Sequence, residues 1–96
     1  MNWQQISEML KQRREVKIRP RGNSMTPRIK SGQLLTLTPN IDHVKIGDIV
    51  FCRVKGNYYV HLVTAIDGKR FQISNNHGHI NGWTRTVFGK VIKIEE

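Results

Sequence analysis

The first apolar residues of the chain recur at the spacing of a helix. This spacing places four apolar residues on one side of a helix: Trp3, Ile6, Met9 and Leu10. Polar residues occupy the positions between them. Such a pattern is typical of one face of an amphipathic helix. We therefore predict a helix over roughly residues 2–14, with its apolar face packed on the domain. Because basic residues follow this stripe, a helix lying on a membrane surface is the alternative.

Beyond residue 15 the pattern changes to alternating and β-branched runs, which are typical of strands. Strands are predicted at residues 16–19, 33–38, 48–54, 57–66, 70–74 and 86–94. Lys55-Gly56-Asn57 and Asp67-Gly68-Lys69 predict tight hairpin turns between neighbouring runs. Gly89, inside the last run, predicts a bulge or a close approach of another segment. Residues 75–83 lack the strand pattern, and we predict a polar loop there.

The amino-acid composition also favours a mostly β fold. Isoleucine and valine together number 19, against 5 leucines and 1 alanine, and β-branched residues favour strands over helices. A chain of 96 residues, 38% of them hydrophobic, has enough apolar residues for a single core. We predict one mostly β domain over residues 1–96, made of an N-terminal helical segment, 1–15, and a β-rich core, 16–96.

Cysteine content and hydropathy suggest a location. The single cysteine, Cys52, cannot form an internal disulfide. No apolar run approaches the roughly 18–20 residues that cross a bilayer, and the first eight residues do not have the pattern of a cleaved secretion signal. We expect a cytoplasmic protein with no membrane insertion.

The charge is strongly basic and unevenly distributed. The formal net charge is +9, from 16 lysines and arginines against 7 acidic residues. A dense series of cations near the N-terminus predicts a basic face that would bind nucleic acid or an acidic protein partner. Its members are Lys11, Arg13, Arg14, Lys17, Arg19 and Arg21, with Arg28 a little further along. The simpler interpretation is a solvated cationic surface.

The segment with most potential for chemistry surrounds Ser24. This serine follows Gly22-Asn23 and stands three residues before Pro27. Because proline is favoured in the first turn of a helix, the pattern predicts a strand-to-helix turn. A serine there would point outward beside free backbone N–H groups, as an acyl-transfer nucleophile requires. An ordinary N-capping serine is the alternative.

Five short segments, taken in order, carry a resemblance to a known family. They are residues 22–27 (GNSMTP), 31–33 (SGQ), 46–50 (IGDIV), 59–63 (YVHLV) and 87–91 (VFGKV). Together they resemble the successive conserved boxes of the signal peptidase and LexA-like serine peptidase superfamily, over roughly residues 16–94. The resemblance implies a compact, coiled β-sheet fold and serine endopeptidase activity on a protein or peptide substrate. Compact relatives of this kind resemble phage or mobile-element processing enzymes, maturation proteases or non-catalytic descendants, so the resemblance also implies a phage or mobile-element origin for this chain.

The resemblance also implies roles for individual residues. Ser24 matches the nucleophile, and its backbone amide matches one donor to the oxyanion. Where many members have a lysine base, this chain has His61, as in signal peptidases of the endoplasmic-reticulum type. Neutral imidazole can accept a serine proton near pH 7. Strand alternation independently predicts that His61 shares one face with Tyr59, Val63 and Ala65.

The residues around the nucleophile are also assigned roles. Met25 is expected to pack beneath Ser24, and Asn23 and Thr26 are expected to help bind the oxyanion.

The chain departs from the family where acidic residues are expected. Asn75, in Ser74-Asn75-Asn76, and Asn81 stand at these positions. Amides do not stabilise imidazolium as carboxylates do, so Asp48 and Asp67 are considered as substitutes. The alternative function is an inactive family member that acts as a binding module through the basic face.

Two further histidines lie in the polar loop. His77 and His79 are two residues apart and could combine with His61 or His43 to hold zinc, nickel or copper. No cysteine pair or carboxylate accompanies them, so we expect no metal or other cofactor. Contacts with the substrate groove, or plain loop polarity, are the preferred interpretations. Trp83 is expected to anchor the loop.

Overall fold

One helix and seven strands account for the regular structure of residues 2–96, the part of the chain that the computed structural model describes. They are α1 (Trp3–Lys11), β1 (Val16–Ile18), β2 (Leu34–Thr38), β3 (Ile49–Val54), β4 (Asn57–Asp67), β5 (Arg70–Ser74), β6 (Ile80–Thr84) and β7 (Val87–Glu95). All paired strands are antiparallel, in a single sheet of order β1-β2-β7-β3-β4-β5-β6. The predicted mostly β fold with a short N-terminal helix is confirmed.

The helix is shorter than the periodicity predicts. Asn2 caps its start, where the side chain accepts a hydrogen bond from the Gln5 N–H at 3.1 Å. The helix ends at Lys11 because Arg13 adopts the left-handed backbone region, with φ of 63°, which does not continue a right-handed helix. Ile6 and Leu10 are buried, so the apolar face packs on the domain. The predicted start of the helical segment at residue 1 lies outside the described residues.

Two tight hairpins hold the central strands in register. Val54 pairs with Asn57 across Lys55 and Gly56, which have φ values of 50° and 84°. Two positive φ values are what a two-residue turn of the type I′ kind requires, and glycine adopts them without strain. Asp67 pairs with Arg70 at the other end of β4. Both predicted turns are confirmed, and β4 is paired on both sides by β3 and β5.

The core next to α1 is partly aromatic. Phe51 is fully buried, and its ring centroid lies 5.3 Å from that of Trp3, 5.7 Å from Tyr58 and 5.3 Å from Phe88. Gly89 lies where β7 passes under the helix. A Cβ at this position would stand 3.0 Å from the Thr38 carbonyl oxygen, so the predicted close approach at Gly89 is confirmed.

The predicted loop over residues 75–83 is wrong in its second half. Residues Ile80–Thr84 form β6, which pairs with β5 in the register Phe71↔Thr84 to Ser74↔Ile80. Asparagine and glycine have low strand propensity, which conceals this strand in the sequence. The strand forms because β5 provides hydrogen-bonding partners for its backbone, and residues 80–84 alone do not indicate this pairing. Trp83 consequently lies on a strand, with the Arg70 guanidinium 5.1 Å from its ring centre.

Candidate active site

Ser24 lies in a series of turns, and the helix predicted after it is absent from the structure. Residues 22–29 form bends and turns, with one α-type bond from the Ile29 N–H to the Met25 carbonyl at 3.0 Å and one tighter bond from the Thr26 N–H to the Asn23 carbonyl at 3.3 Å. A residue that precedes proline disfavours the α region, so Thr26 does not readily take the helical conformation and the chain makes turns here instead of a regular helix. Met25 is 4% exposed beneath the loop, as expected, while Ser24 is exposed.

His61 is held against Ser24 from the middle of β4. Its Nε2 atom lies 3.0 Å from Ser24 Oγ, although 37 residues separate the two in sequence. The backbone of His61 is opposite Val50 on β3, and the side chain is 8% exposed. A paired, buried strand therefore fixes the imidazole, and the exposed hydroxyl is within hydrogen-bonding distance of it.

Asn81 faces the other nitrogen of the imidazole. Its Oδ1 atom lies 2.6 Å from His61 Nδ1. An amide oxygen can only accept a hydrogen bond, so Nδ1 carries the proton and donates it. Nε2 is then unprotonated and can accept the Ser24 hydroxyl proton. The neighbouring amide thus selects the tautomer that a general base requires.

The surroundings of His61 favour its neutral form. Burial lowers the pKa of His61 below its ordinary value of 6.5, because a buried site disfavours the charged imidazolium. The hydrogen bond with Asn81 acts in the opposite direction, and repulsion from His79 lowers the pKa further. The imidazole is therefore unprotonated, and able to accept a proton, at neutral pH.

This lowered pKa predicts how stability depends on pH. Between the folded-state pKa and the ordinary value of 6.5, the unfolded chain binds more protons at His61 than the folded chain. The stabilisation is therefore fully present above pH 6.5 and is lost as the pH falls through the folded-state pKa. Urea unfolding of the wild type and His61→Gln at several pH values should show this loss in the wild type only, with a slope of at most about 1.4 kcal/mol per pH unit. The same dependence of the free energy of unfolding on pH in both proteins would contradict this prediction.

The loop of residues 75–79 supports the serine loop. The Asn76 N–H donates to the Ser24 carbonyl at 2.8 Å, and its Nδ2 atom donates to the Thr26 carbonyl at 2.9 Å. Asn75 acts within its own loop, where Oδ1 accepts from the N–H groups of His77 and His79. Asn75 and Asn81 therefore have different roles, since only Asn81 contacts the imidazole. Sequence reasoning missed Asn76, although it belongs to the Ser74-Asn75-Asn76 box.

Asn23, Thr26 and His77 form a second set of contacts near Ser24. The Asn23 carbonyl accepts from Thr26 Oγ1 at 3.0 Å and from His77 Nε2 at 3.0 Å. The Thr26 hydroxyl proton is thus engaged within the loop. His77 is also 3.3 Å from Thr26 Oγ1. These contacts brace the serine loop from its outer side.

The carboxylates considered as substitutes are engaged elsewhere. Asp48 accepts from the Lys45 N–H at 2.8 Å and lies 3.5 Å from Lys90 Nζ. Asp67 pairs with Arg70 at 2.8 Å in the hairpin turn. The suggestion that either replaces the missing acid is wrong, because their partners hold them in turns at the ends of β3 and β4.

A pocket opens beside the Ser24–His61 pair. It encloses about 150 Å³ of free space. Its walls are mostly apolar, and the cation Arg21 also lines it. The lining residues are Trp3, Pro20, Arg21, Gly22, Ser24, Met25, Ile29, Tyr58, Tyr59, Val60 and His61. The sequence did not indicate that Trp3, on α1, would reach this pocket.

The basic residues near the N-terminus are all exposed, but several contact the protein itself. Lys11 pairs with Glu8 at 3.4 Å, and Arg19 donates to the Gly32 carbonyl at 2.9 Å. Arg13 lies 3.5 Å from the Pro39 carbonyl oxygen. The remaining members of the series, Arg14, Lys17 and Arg21, are also exposed.

Cys52 has no role as a nucleophile. It is fully buried on β3, and burial raises the pKa of its thiol to about 12. The thiolate, which is the reactive form of cysteine, is therefore negligible at neutral pH.

Within residues 2–96, no group of three histidine, cysteine, aspartate or glutamate side chains is arranged to hold a metal ion. In the same residues no helix is long and apolar enough to span a bilayer.

The model of a family described as Peptidase S24-like matches residues 4–91, which include Ser24, His61 and Asn81. No curated protein matches the chain.

Proposed function

Because the chain belongs to the Peptidase S24-like family, we propose that it is a serine endopeptidase in which Ser24 is the nucleophile and His61 the general base. The observation that best supports this proposal is the 3.0 Å contact between Ser24 Oγ and His61 Nε2. The tautomer selected by Asn81 leaves this nitrogen free to accept a proton. A nucleophile, a base and a group that orients the base are the parts that covalent acyl transfer requires.

The proposed reaction follows from this geometry. Ser24 Oγ attacks the substrate carbonyl carbon, and its proton passes to His61 Nε2. The imidazolium keeps its Nδ1–H bond to Asn81 Oδ1 and then gives its Nε2 proton to the leaving amine. Water attacks the resulting ester with His61 again as base, which releases the acid product and restores Ser24. The Ser24 backbone N–H is proposed as one donor to the oxyanion.

Histidine can replace the lysine base of other members because of its ionisation. A lysine must be deeply buried before it is neutral at pH 7, whereas burial at His61 lowers a pKa that is already near neutrality. In this proposal His61 is a neutral base at pH 7 without the deep apolar burial that a lysine would require. Such a base can therefore act beside a serine that is exposed to solvent, as Ser24 is.

The pocket and the sheet edge suggest how a substrate is held. An apolar side chain of the substrate would enter the pocket beside Ser24, where Met25, Ile29 and Val60 are among the walls. β1 is one of the two edge strands of the sheet, and residues 20–22, which follow it closely, also line the pocket. We propose that the substrate backbone pairs as an additional strand at this edge.

The proposal is tested by a mass-spectrometric survey of new peptide N-termini. A cytosolic lysate is incubated with the wild type or with Ser24→Ala, and the mass of the protein itself is followed. New termini with the wild type only would support the peptidase and define its cleavage preference. To include substrates absent from the lysate, a randomised peptide library is treated in the same way.

Identical results for the two proteins in both samples would overturn the proposal. The binding-module alternative would then be favoured, with the basic face as the binding surface. If the basic face binds nucleic acid, Arg13, Arg14 and Arg19 would contact its phosphates. This binding should weaken steeply as the salt concentration rises.

A further inference from the structure

An aromatic ring covers one face of the candidate base. Tyr59 and His61 are two residues apart on β4, so their side chains emerge on the same face of the strand. Their ring centroids are 4.8 Å apart and the planes are inclined by 27°, a stacked arrangement. Tyr59 also lines the pocket beside Ser24. The hydrogen bonds to Asn81 and Ser24 lie in the plane of the imidazole, whereas Tyr59 contacts its face.

The groups around His61 provide no negative charge for its protonated form. Asn81, which bonds to Nδ1, is neutral, and none of the ion pairs within residues 2–96 includes His61. His79 acts on His61 electrostatically, and Arg21 lines the same pocket, so a positive charge on either one opposes an imidazolium; the two tyrosines of the pocket, Tyr58 and Tyr59, are neutral as phenols. The proposed reaction nevertheless passes through an imidazolium at this position. Stabilisation must therefore come from another kind of group.

We propose that Tyr59 is a positioning residue whose ring face stabilises the protonated state of His61 during the reaction. The face of an aromatic ring carries partial negative charge, and it attracts a cation within about 6 Å of the ring centre. The observed distance is inside this limit, and partial burial of the pair reduces screening by water. This inference rests on the proposed function, and it assigns to Tyr59 part of the role that a carboxylate has in other serine peptidases.

The ring face, and not the phenol hydroxyl, is the stabilising group. Tyr59→Phe keeps the face, so His61 should bind a proton as strongly as in the wild type. Tyr59→Leu keeps a half-buried apolar side chain but removes the π-system. Pentafluorophenylalanine at position 59 keeps the shape of the ring and reverses the charge of its face, so it tests the same point without a change in packing.

The test is an NMR titration of the imidazole signals in the full chain. We expect Tyr59→Leu and the pentafluorophenylalanine protein to bind a proton at His61 about three- to tenfold more weakly than the wild type. Tyr59→Phe should retain wild-type affinity. The exposed residue His43 lies in the β2–β3 connection, and its imidazole signals serve as the internal control for differences between samples.

Two results would overturn the inference. The first is equal proton affinity at His61 in all four proteins, and the second is a loss in Tyr59→Phe as large as in Tyr59→Leu. If Tyr59→Leu does not fold, the pentafluorophenylalanine protein decides the question. The titration needs no substrate, so it is independent of the survey of peptide N-termini, and failure of the peptidase proposal is recognised separately.

Discussion

Replacing Ser24 with alanine should abolish peptide cleavage, with a loss on the order of 10³-fold or more, because no other group at this position can form the ester intermediate. His61→Ala should cause a comparable loss, since the hydroxyl is then without its base at 3.0 Å. Because the two residues act as a unit, the double variant should be no slower than either single variant. The measurement is the turnover of a peptide identified in the survey of new N-termini.

Controls separate this expectation from a loss of folding. Ser24 is exposed, so Ser24→Ala should unfold at a temperature close to that of the wild type. His43→Ala removes an exposed imidazole in the β2–β3 connection and should keep full activity. Cleavage by Ser24→Ala at the wild-type rate would exclude this serine as the nucleophile.

Changing Asn81 to aspartate should make the site more reactive. The new carboxylate would occupy the place of Oδ1, 2.6 Å from His61 Nδ1, where a negative charge raises the pKa of the histidine and stabilises the imidazolium. We expect a rate increase on the order of tenfold or more at pH 8, and a pH profile shifted upward. Asn81→Leu should have the opposite effect, because Nδ1 loses its acceptor and the tautomer is no longer selected.

The matched control for charge is Asn40→Asp. Asn40 is exposed in the β2–β3 connection, so the same added charge should leave the rate and the pH profile unchanged. An Asn81→Asp variant with wild-type rate, and with an unshifted His61 titration by NMR, would show that the amide at this position does not act on the imidazole.

Much of the sheet could be predicted because its signals are local. The turns at Gly56 and Gly68 are marked by residues that adopt positive φ, and they fix the register of β3, β4 and β5. The position of His61 on a paired strand follows directly from that register. β6 was missed because its stability depends on its partner β5 and not on its own propensities.

The candidate site was predicted less completely, since it depends on contacts between distant segments. Family resemblance pointed to Ser24 and His61 as a pair, but no local pattern gives the direction of the Asn81 amide. The stacking of Tyr59 on His61 follows from strand alternation only once the rotamers of both side chains are known. The bonds from Asn76 to the serine loop connect segments about 50 residues apart, a relation that periodicity cannot show.

The place of β7 in the sheet has a consequence for synthesis of the protein. β7 follows the other described strands in sequence but lies between β2 and β3 in the sheet. It therefore joins β1 and β2, which precede the Ser24 loop or follow it, to β3 and β4, the second of which carries His61. A nascent chain that still lacks β7 contains Ser24 and His61, but the strand that lies between β2 and β3 is missing. If Ser24 is the nucleophile that we propose, it should become reactive only after β7 has been made and has joined the sheet. Incomplete chains of the proposed peptidase would then not cleave neighbouring proteins in the cell.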